Sequence, residues 1–282
     1  MVPIRLIPRL DIKGPNVVKG IHLEGLRVIG QPDEMARYYY EAGADELFFM
    51  DSVASLYERN SLGDIISKTA SEIFIPLTVG GGLRTLQDMA MVLRAGADKV
   101  CLNTAAIKNP NIIKESSRTL GSSTIVVAIE AIREPNGSYL AYTDNGREYT
   151  GVDVFEWAKK VEELGAGEIV ITSVDREGTG EGFDFELIKQ LSENASIPVI
   201  AHGGAGTPEN IVGAVCQGKA DAVAVASVLH YDYVRHNPQR STDSEEGNTE
   251  FLRSGRSFHN FETSTISNIK IMMRDEGLTV RG

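Results

Sequence analysis

Short runs rich in Val and Ile alternate along this chain with amphipathic stretches of 10 to 15 residues. A period near 2 predicts strands and a period near 3.6 predicts helices, so the pattern reads β then α, repeated. The apolar runs place strands at Ile4–Asp11, Glu46–Asp51, Ile75–Val79, Lys99–Asn103, Thr124–Glu130, Glu168–Thr172, Val199–Ala201 and Ala222–Ala226. Helices are predicted near 32–42, 62–72, 85–95, 110–119, 152–164, 184–194, 207–217 and 264–277. Eight βα units imply an α/β fold, a closed parallel (βα)8 barrel of the TIM type, as one domain over residues 1–282.

The two halves repeat each other. IPLTVGGG at Ile75–Gly82 is echoed by IPVIAHGG at Ile197–Gly204, AGADEL at Ala42–Leu47 by LGAGEI at Leu164–Ile169, and AGADKVCLNT at Ala95–Thr104 by GKADAVAVAS at Gly218–Ser227, all at offsets of 122 to 123 residues. One duplication at that spacing gives two (βα)4 halves and an approximate twofold axis. Only one segment breaks the rhythm, a polar insertion over residues 232–263, after the eighth strand. It leaves from the rim where barrel enzymes do their chemistry, and reads either as a lid or wall of the site or as a disordered surface loop.

Thirty-nine acidic against 28 basic residues give a formal net charge of -11, a field that repels nucleic-acid backbones and anionic lipid surfaces. Nothing approaches an apolar run of the roughly 20 residues that span a bilayer, and the alternating, charged start is unlike a signal peptide, so a cytoplasmic location is expected. Cys101 and Cys216, the only cysteines, read as reduced core residues. His22, His202, His230, His236 and His259 share no ligand spacing, so no metal is expected, and no cofactor either. His202 stands apart because it directly precedes a glycine turn and could act as an acid.

Gly80–Gly82 ends the third strand and Gly203–Gly206 the seventh, each followed by a helix that begins at Thr85 or Thr207. Turns of this kind bare their N–H groups, and the helix N-terminus adds about half a positive charge. The neighbouring strand ends, Asn103–Thr104 and Ala226–Ser227, supply further donors. Because the arrangement occurs twice under the internal symmetry, the expected small-molecule ligand carries a phosphate at each end. Alternation along the strands points Arg5, Ile7, Arg9 and Asp11 one way, with Lys99, Cys101 and Asn103, and with Val126, Ala128 and Glu130. If Asp11 faces inward, Asp11 and Glu130 end opposite strands between the two cradles, where one can take and the other give a proton. At the other end Arg5, Glu46, Lys99 and Glu168 compose a neutral ring, either a stability device or a gate of long charged side chains.

These residues resemble the cyclase-subunit family of imidazole glycerol phosphate synthase, from Ile4 to about Tyr231 and again in the closing helix. The matching motifs are VVKG at Val17–Gly20, GADEL at Gly43–Leu47, IPLTVGGG at Ile75–Gly82, RAGADKV at Arg94–Val100, NTAA at Asn103–Ala106, VEELGAGEI at Val161–Ile169, DREGT at Asp175–Thr179 and GGAG at Gly203–Gly206. The resemblance implies a catalytic Asp11 with Glu130 as its partner, and Lys19 in a mobile first βα loop. It implies a diphosphate substrate that spans Gly82, Asn103 and Thr104 at one end and Gly178, Gly204, Ala226 and Ser227 at the other; Lys19, Asp51, Thr172, Asp175, His202 and Gly203 are further candidate substrate-binding residues. It also implies a separate glutaminase subunit docked as a heterodimer on the barrel floor, sending ammonia past the gate Arg5, Glu46, Lys99 and Glu168. The products in that family are imidazole glycerol phosphate and aminoimidazole carboxamide ribotide.

Several positions depart from the family pattern. Glu130 replaces an aspartate, Arg9 a cysteine and His202 a serine; DSVAS stands at Asp51–Ser55 in place of DITAS, and the eighth loop is longer. Arg9 is expected to lower the pKa of a neighbouring carboxylate and to narrow any ammonia path. These departures keep two alternatives open, a cyclase-like paralogue that feeds ammonia to amidine formation on a surface-polysaccharide sugar, and a non-enzymatic phosphate-binding barrel.

Overall fold

The computed structural model describes residues 2–22, 24–52, 62–237 and 261–282. Among them, in chain order, run twelve strands: β1 (Arg5–Lys13), β2 (Asn16–Ile21), β3 (Glu24–Gly30), β4 (Leu47–Asp51), β5 (Leu77–Gly80), β6 (Lys99–Leu102), β7 (Ile125–Arg133), β8 (Tyr139–Thr143), β9 (Glu148–Asp153), β10 (Glu168–Ser173), β11 (Val199–His202) and β12 (Ala222–Val225). Eight of them pair in parallel in the order β1, β4, β5, β6, β7, β10, β11, β12, and β12 pairs back with β1, which closes the barrel. All eight are the strands expected from the apolar runs. Helices cover the outside, and the apolar residues divide into a large layer between strands and helices and a smaller one inside the barrel. Ile7, Cys101, Val126 and Ala128 belong to the inner set, as the alternation requires.

The internal repeat is visible in backbone angles. Thr85 (φ -133°, ψ 161°) and Thr207 (φ -135°, ψ 162°) each cap a helix through a reciprocal capping box, with Asp88 and Asn210 as the answering side chains. Asn103 (φ -134°, ψ -89°) and Ala226 (φ -120°, ψ -80°) share an unusual conformation at the start of the helices Thr104–Lys108 and Ser227–His236. Asp98 and Asp221 each accept from the backbone N–H of a neighbouring strand, Leu77 at 2.8 Å and Val199 at 2.9 Å.

Asp45 makes the same kind of contact to Leu6 N–H at 2.8 Å, and its other oxygen receives Lys270 from the C-terminal helix Ile266–Asp275, also at 2.8 Å. Both side chains are buried, so this pair ties the last helix to the barrel. Asp45→Ala strands an ammonium in the interior and is expected to cost about 3–5 kcal/mol, read from chemical denaturation; a loss below about 1 kcal/mol would mean that the pair is no more than a surface-type contact.

Four differences from the sequence reading concern the rim and surface. Two antiparallel hairpins, β2–β3 and β8–β9, extend β1 and β7 beyond the barrel. Alternation in YLAYT and EYTGV around Asn145–Gly146 marks the second, with Asp144 and Asn145 both at positive φ as such turns demand. The helix Ser227–His236 continues past position 232, where the insertion was placed, because Val228, Leu229 and Tyr233 bury an apolar face; residues 238–260, with His259, lie outside the described residues. Cys101 is buried, but Cys216, the last residue of the helix Pro208–Cys216, is exposed and not a core residue.

Candidate active site at the barrel mouth

Gly81 (φ 101°), Gly82 (φ 68°), Gly203 (φ 93°) and Gly204 (φ 112°) lie in the left-handed region. Side chains are also excluded by contact: a Cβ on Gly81 would meet Asp51 O at 2.5 Å, and one on Gly204 would meet Gly182 O at 2.3 Å. The two corners therefore present backbone N–H groups, each beside a capped helix N-terminus. A cavity of about 280 Å³ opens on the first corner, lined among others by Asp51, Gly82, Asn103, Thr104, Glu130 and Asn145. The second corner is nearly filled, with about 10 Å³ of free space among Lys19, Glu177, Gly178, His202, Gly203, Gly204, Ala226 and Ser227. A third small space between them is lined by Arg9, Asp11, Lys19 and Asn145.

Asp11 and Glu130 occupy equivalent places, each still paired in parallel with the next barrel strand on one side and beginning to pair with a hairpin on the other, Asp11 opposite Val18 and Glu130 opposite Tyr142. Arg9 Nε donates to Asp11 Oδ1 at 3.0 Å, both side chains buried. Glu130 Oε2 accepts the Gly146 N–H at 2.8 Å. Burial pushes the Glu130 carboxyl up to about 7, outweighing the hydrogen bonds from Gly146 and Asn103 and the pull of the Arg9 charge. For Glu130 the expected lowering by Arg9 is thus overridden by desolvation.

Lys19 sits on β2 and forms a buried ion pair with Glu177. Hairpin β2–β3 is held on the segment after β10 by this pair, by His22 N–H on Glu177 O at 2.8 Å and by the His22 ring on Val174 O at 2.8 Å. Gly178 (φ 73°) lies so close that a Cβ would meet Gly20 O at 2.4 Å. Glu177 was absent from the sequence-derived site; its signal was a third charge in the quoted DREGT run. Asp175 of the same run is exposed and its carboxylate accepts Arg133 N–H at 2.9 Å, outside the cavities above.

Thr172 lies one layer down, its hydroxyl 3.1 Å from His202 Nδ1, which also receives Arg9 Nη1 at 3.1 Å. Burial first, then the Arg9 and Lys19 charges, hold His202 well below its ordinary pKa, so it is a neutral imidazole with Nδ1 accepting from Arg9, and the acid role considered from sequence falls to its Nε2–H. His230 is equally buried, donating Nε2–H to Arg9 O at 2.9 Å and accepting from the Tyr39 hydroxyl at 2.7 Å, and is held down to about 4. It fixes the backbone beneath Asp11.

At the barrel floor the four expected charges close a ring: Arg5 to Glu46 at 2.8 Å, Glu46 to Lys99 at 3.0 Å, Lys99 to Glu168 at 3.1 Å and Glu168 to Arg5 at 2.9 Å. Thr78 adds a hydroxyl on Glu46 at 2.6 Å.

A twofold-repeated (βα)8 barrel, with two carboxylates at the C-terminal mouth between paired glycine corners, has the architecture of a barrel enzyme. Residues 5–235 match the model of a family described as "Histidine biosynthesis protein", and the chain belongs to that family. It is 58% identical over 209 residues to the imidazole glycerol phosphate synthase subunit HisF of Legionella pneumophila, covering 74% of this chain and 99% of that one. The same-named subunit of Methanocaldococcus jannaschii is 48% identical, over 82% of this chain and 92% of its own length. That of Dehalococcoides mccartyi is 49% identical, over 82% and 91%.

Proposed function

We propose that this chain is the ammonia-using cyclase subunit of a glutamine amidotransferase, converting a ribulosyl diphosphate and ammonia to imidazole glycerol phosphate and aminoimidazole carboxamide ribotide. The observation that carries the reading is the pair Asp11 and Glu130, symmetry-equivalent and set between two corners suited to phosphate. One phosphate belongs at Gly82, Asn103 and Thr104, the other at Gly178, Gly203, Gly204, Ala226 and Ser227 with Lys19 beside it. Ammonia adds to the ribulosyl carbonyl, water leaves, and proton transfers release the ribotide and close the imidazole ring. Asp11, paired with Arg9 as a carboxylate, takes the proton; Glu130, neutral in part at pH 7, gives one.

A glutaminase subunit belongs on the floor, with the ring Arg5, Glu46, Lys99 and Glu168 as the entry for its ammonia. The named relatives favour the histidine-pathway substrate over the surface-polysaccharide sugar. Purified chain supplied with ammonium and the ribulosyl diphosphate is expected to form imidazole glycerol phosphate; absence of any imidazole product would remove the proposal.

A further inference from the structure

The Arg9 side chain leaves β1 one layer below Asp11 and is almost wholly buried. Its guanidinium lies 5.7 Å from the centre of the Phe48 ring on the adjacent strand β4 and 3.1 Å from His202 on β11, which lies beyond β12 on the other side, so it reaches past its neighbouring strand into the bore. Its charge also acts on Cys101 of β6 and Glu130 of β7, across the barrel. A buried side chain that spans from β4 past β12 to β11, with its charge felt on the opposite wall, projects into the bore. Below it lie the inner apolar residues and then the floor ring; above it lies the space lined by Asp11 and Lys19.

We propose that Arg9 is a second gate, set in the bore above the floor ring, that restricts ammonia delivered from the floor while leaving ammonia that enters from the mouth unaffected. The proposal rests on the cyclase reading above. Asp11 and His202 hold the planar head from two sides, and the His230 contact to Arg9 O fixes its stem, so the plug is anchored at three points. To let a molecule by, the head must swing aside in the bore, and it can do so only by giving up the Asp11 or the His202 contact. A fixed cation there also repels ammonium, so what passes is neutral ammonia.

The test uses the full chain in complex with its glutaminase subunit and the ribulosyl diphosphate at saturation. Initial rates of imidazole product are measured once with glutamine and once with ammonium chloride as nitrogen source. Damage through Asp11 lowers the ammonium rate even where delivery limits the glutamine rate, so the glutamine-driven rate is read by itself as well: an opened gate raises it, and a ratio that rises only because the ammonium rate falls overturns the gate. Arg9→Ala is expected to raise the glutamine-to-ammonium ratio by about threefold or more. Arg9→Lys, which keeps a cation but cannot bridge Asp11 and His202 together, is expected to raise it less, and serves if the alanine variant does not fold. A ratio that stays level or falls in the variants that fold overturns the gate while the cyclase reading stands. Wild-type complex that makes no imidazole product from either source removes the cyclase reading, and the gate with it.

Discussion

Asp11→Asn is expected to lower ammonium-driven turnover on the order of 10³-fold with little change in KM. Asparagine has the same shape and still offers Oδ1 to Arg9 Nε, which donates to Asp11 at 3.0 Å, so the hydrogen bond persists, while the buried Arg9 loses its paired charge and some stability with it. What disappears is the negative charge and the affinity for a proton. Both glycine corners are untouched, and substrate binding should persist. Steady-state kinetics with ammonium as the only nitrogen source isolate the mouth from the floor; residual turnover within about tenfold of wild type would mean that Asp11 serves only as a partner for Arg9.

Glu130→Gln is expected to cost about 100-fold at pH 6 and to flatten the alkaline side of the pH profile. The sign follows from burial. Glu130 is pushed up to about 7, so its neutral, proton-giving form is abundant below that pH and is lost as pH rises through it. Wild-type kcat is therefore expected to fall above about pH 7, and the glutamine variant to lack that limb. Stability moves in the same direction. A carboxyl raised in the folded state contributes fully below its unfolded value and loses that contribution as pH rises through about 7. Melting temperatures of wild type and Glu130→Gln should draw apart between about pH 4.5 and pH 7, the wild type becoming the less stable, and keep a constant difference above that. A wild-type rate that rises through pH 7 and a variant that shares it would assign the limb to another group.

The repeat illustrates how far local chemistry carries. Thr85 and Thr207, Gly81 and Gly203, Asn103 and Ala226 lie 122 or 123 positions apart, and each pair adopts nearly one backbone conformation. Capping and left-handed glycine are properties of a few neighbouring residues, so a single sequence discloses them. The hairpins were missed for a related reason. Their strands are short and pair with the overhanging ends of β1 and β7 instead of adding a βα unit, so the barrel rhythm does not call for them.

Sequence alone determined the eight-strand alternation, the duplication, the two carboxylates at equivalent strand ends and the four charges of the floor, because strand period and turn chemistry are local and the closed barrel then leaves each residue only one side to face. Only the tertiary structure decided which partners those side chains meet. Lys19 and Glu177 are 158 residues apart and Arg9 and His202 are 193 apart; such pairings, and the burial that keeps His202 neutral and raises Glu130, exist only once distant strands close around a common axis and exclude water from it.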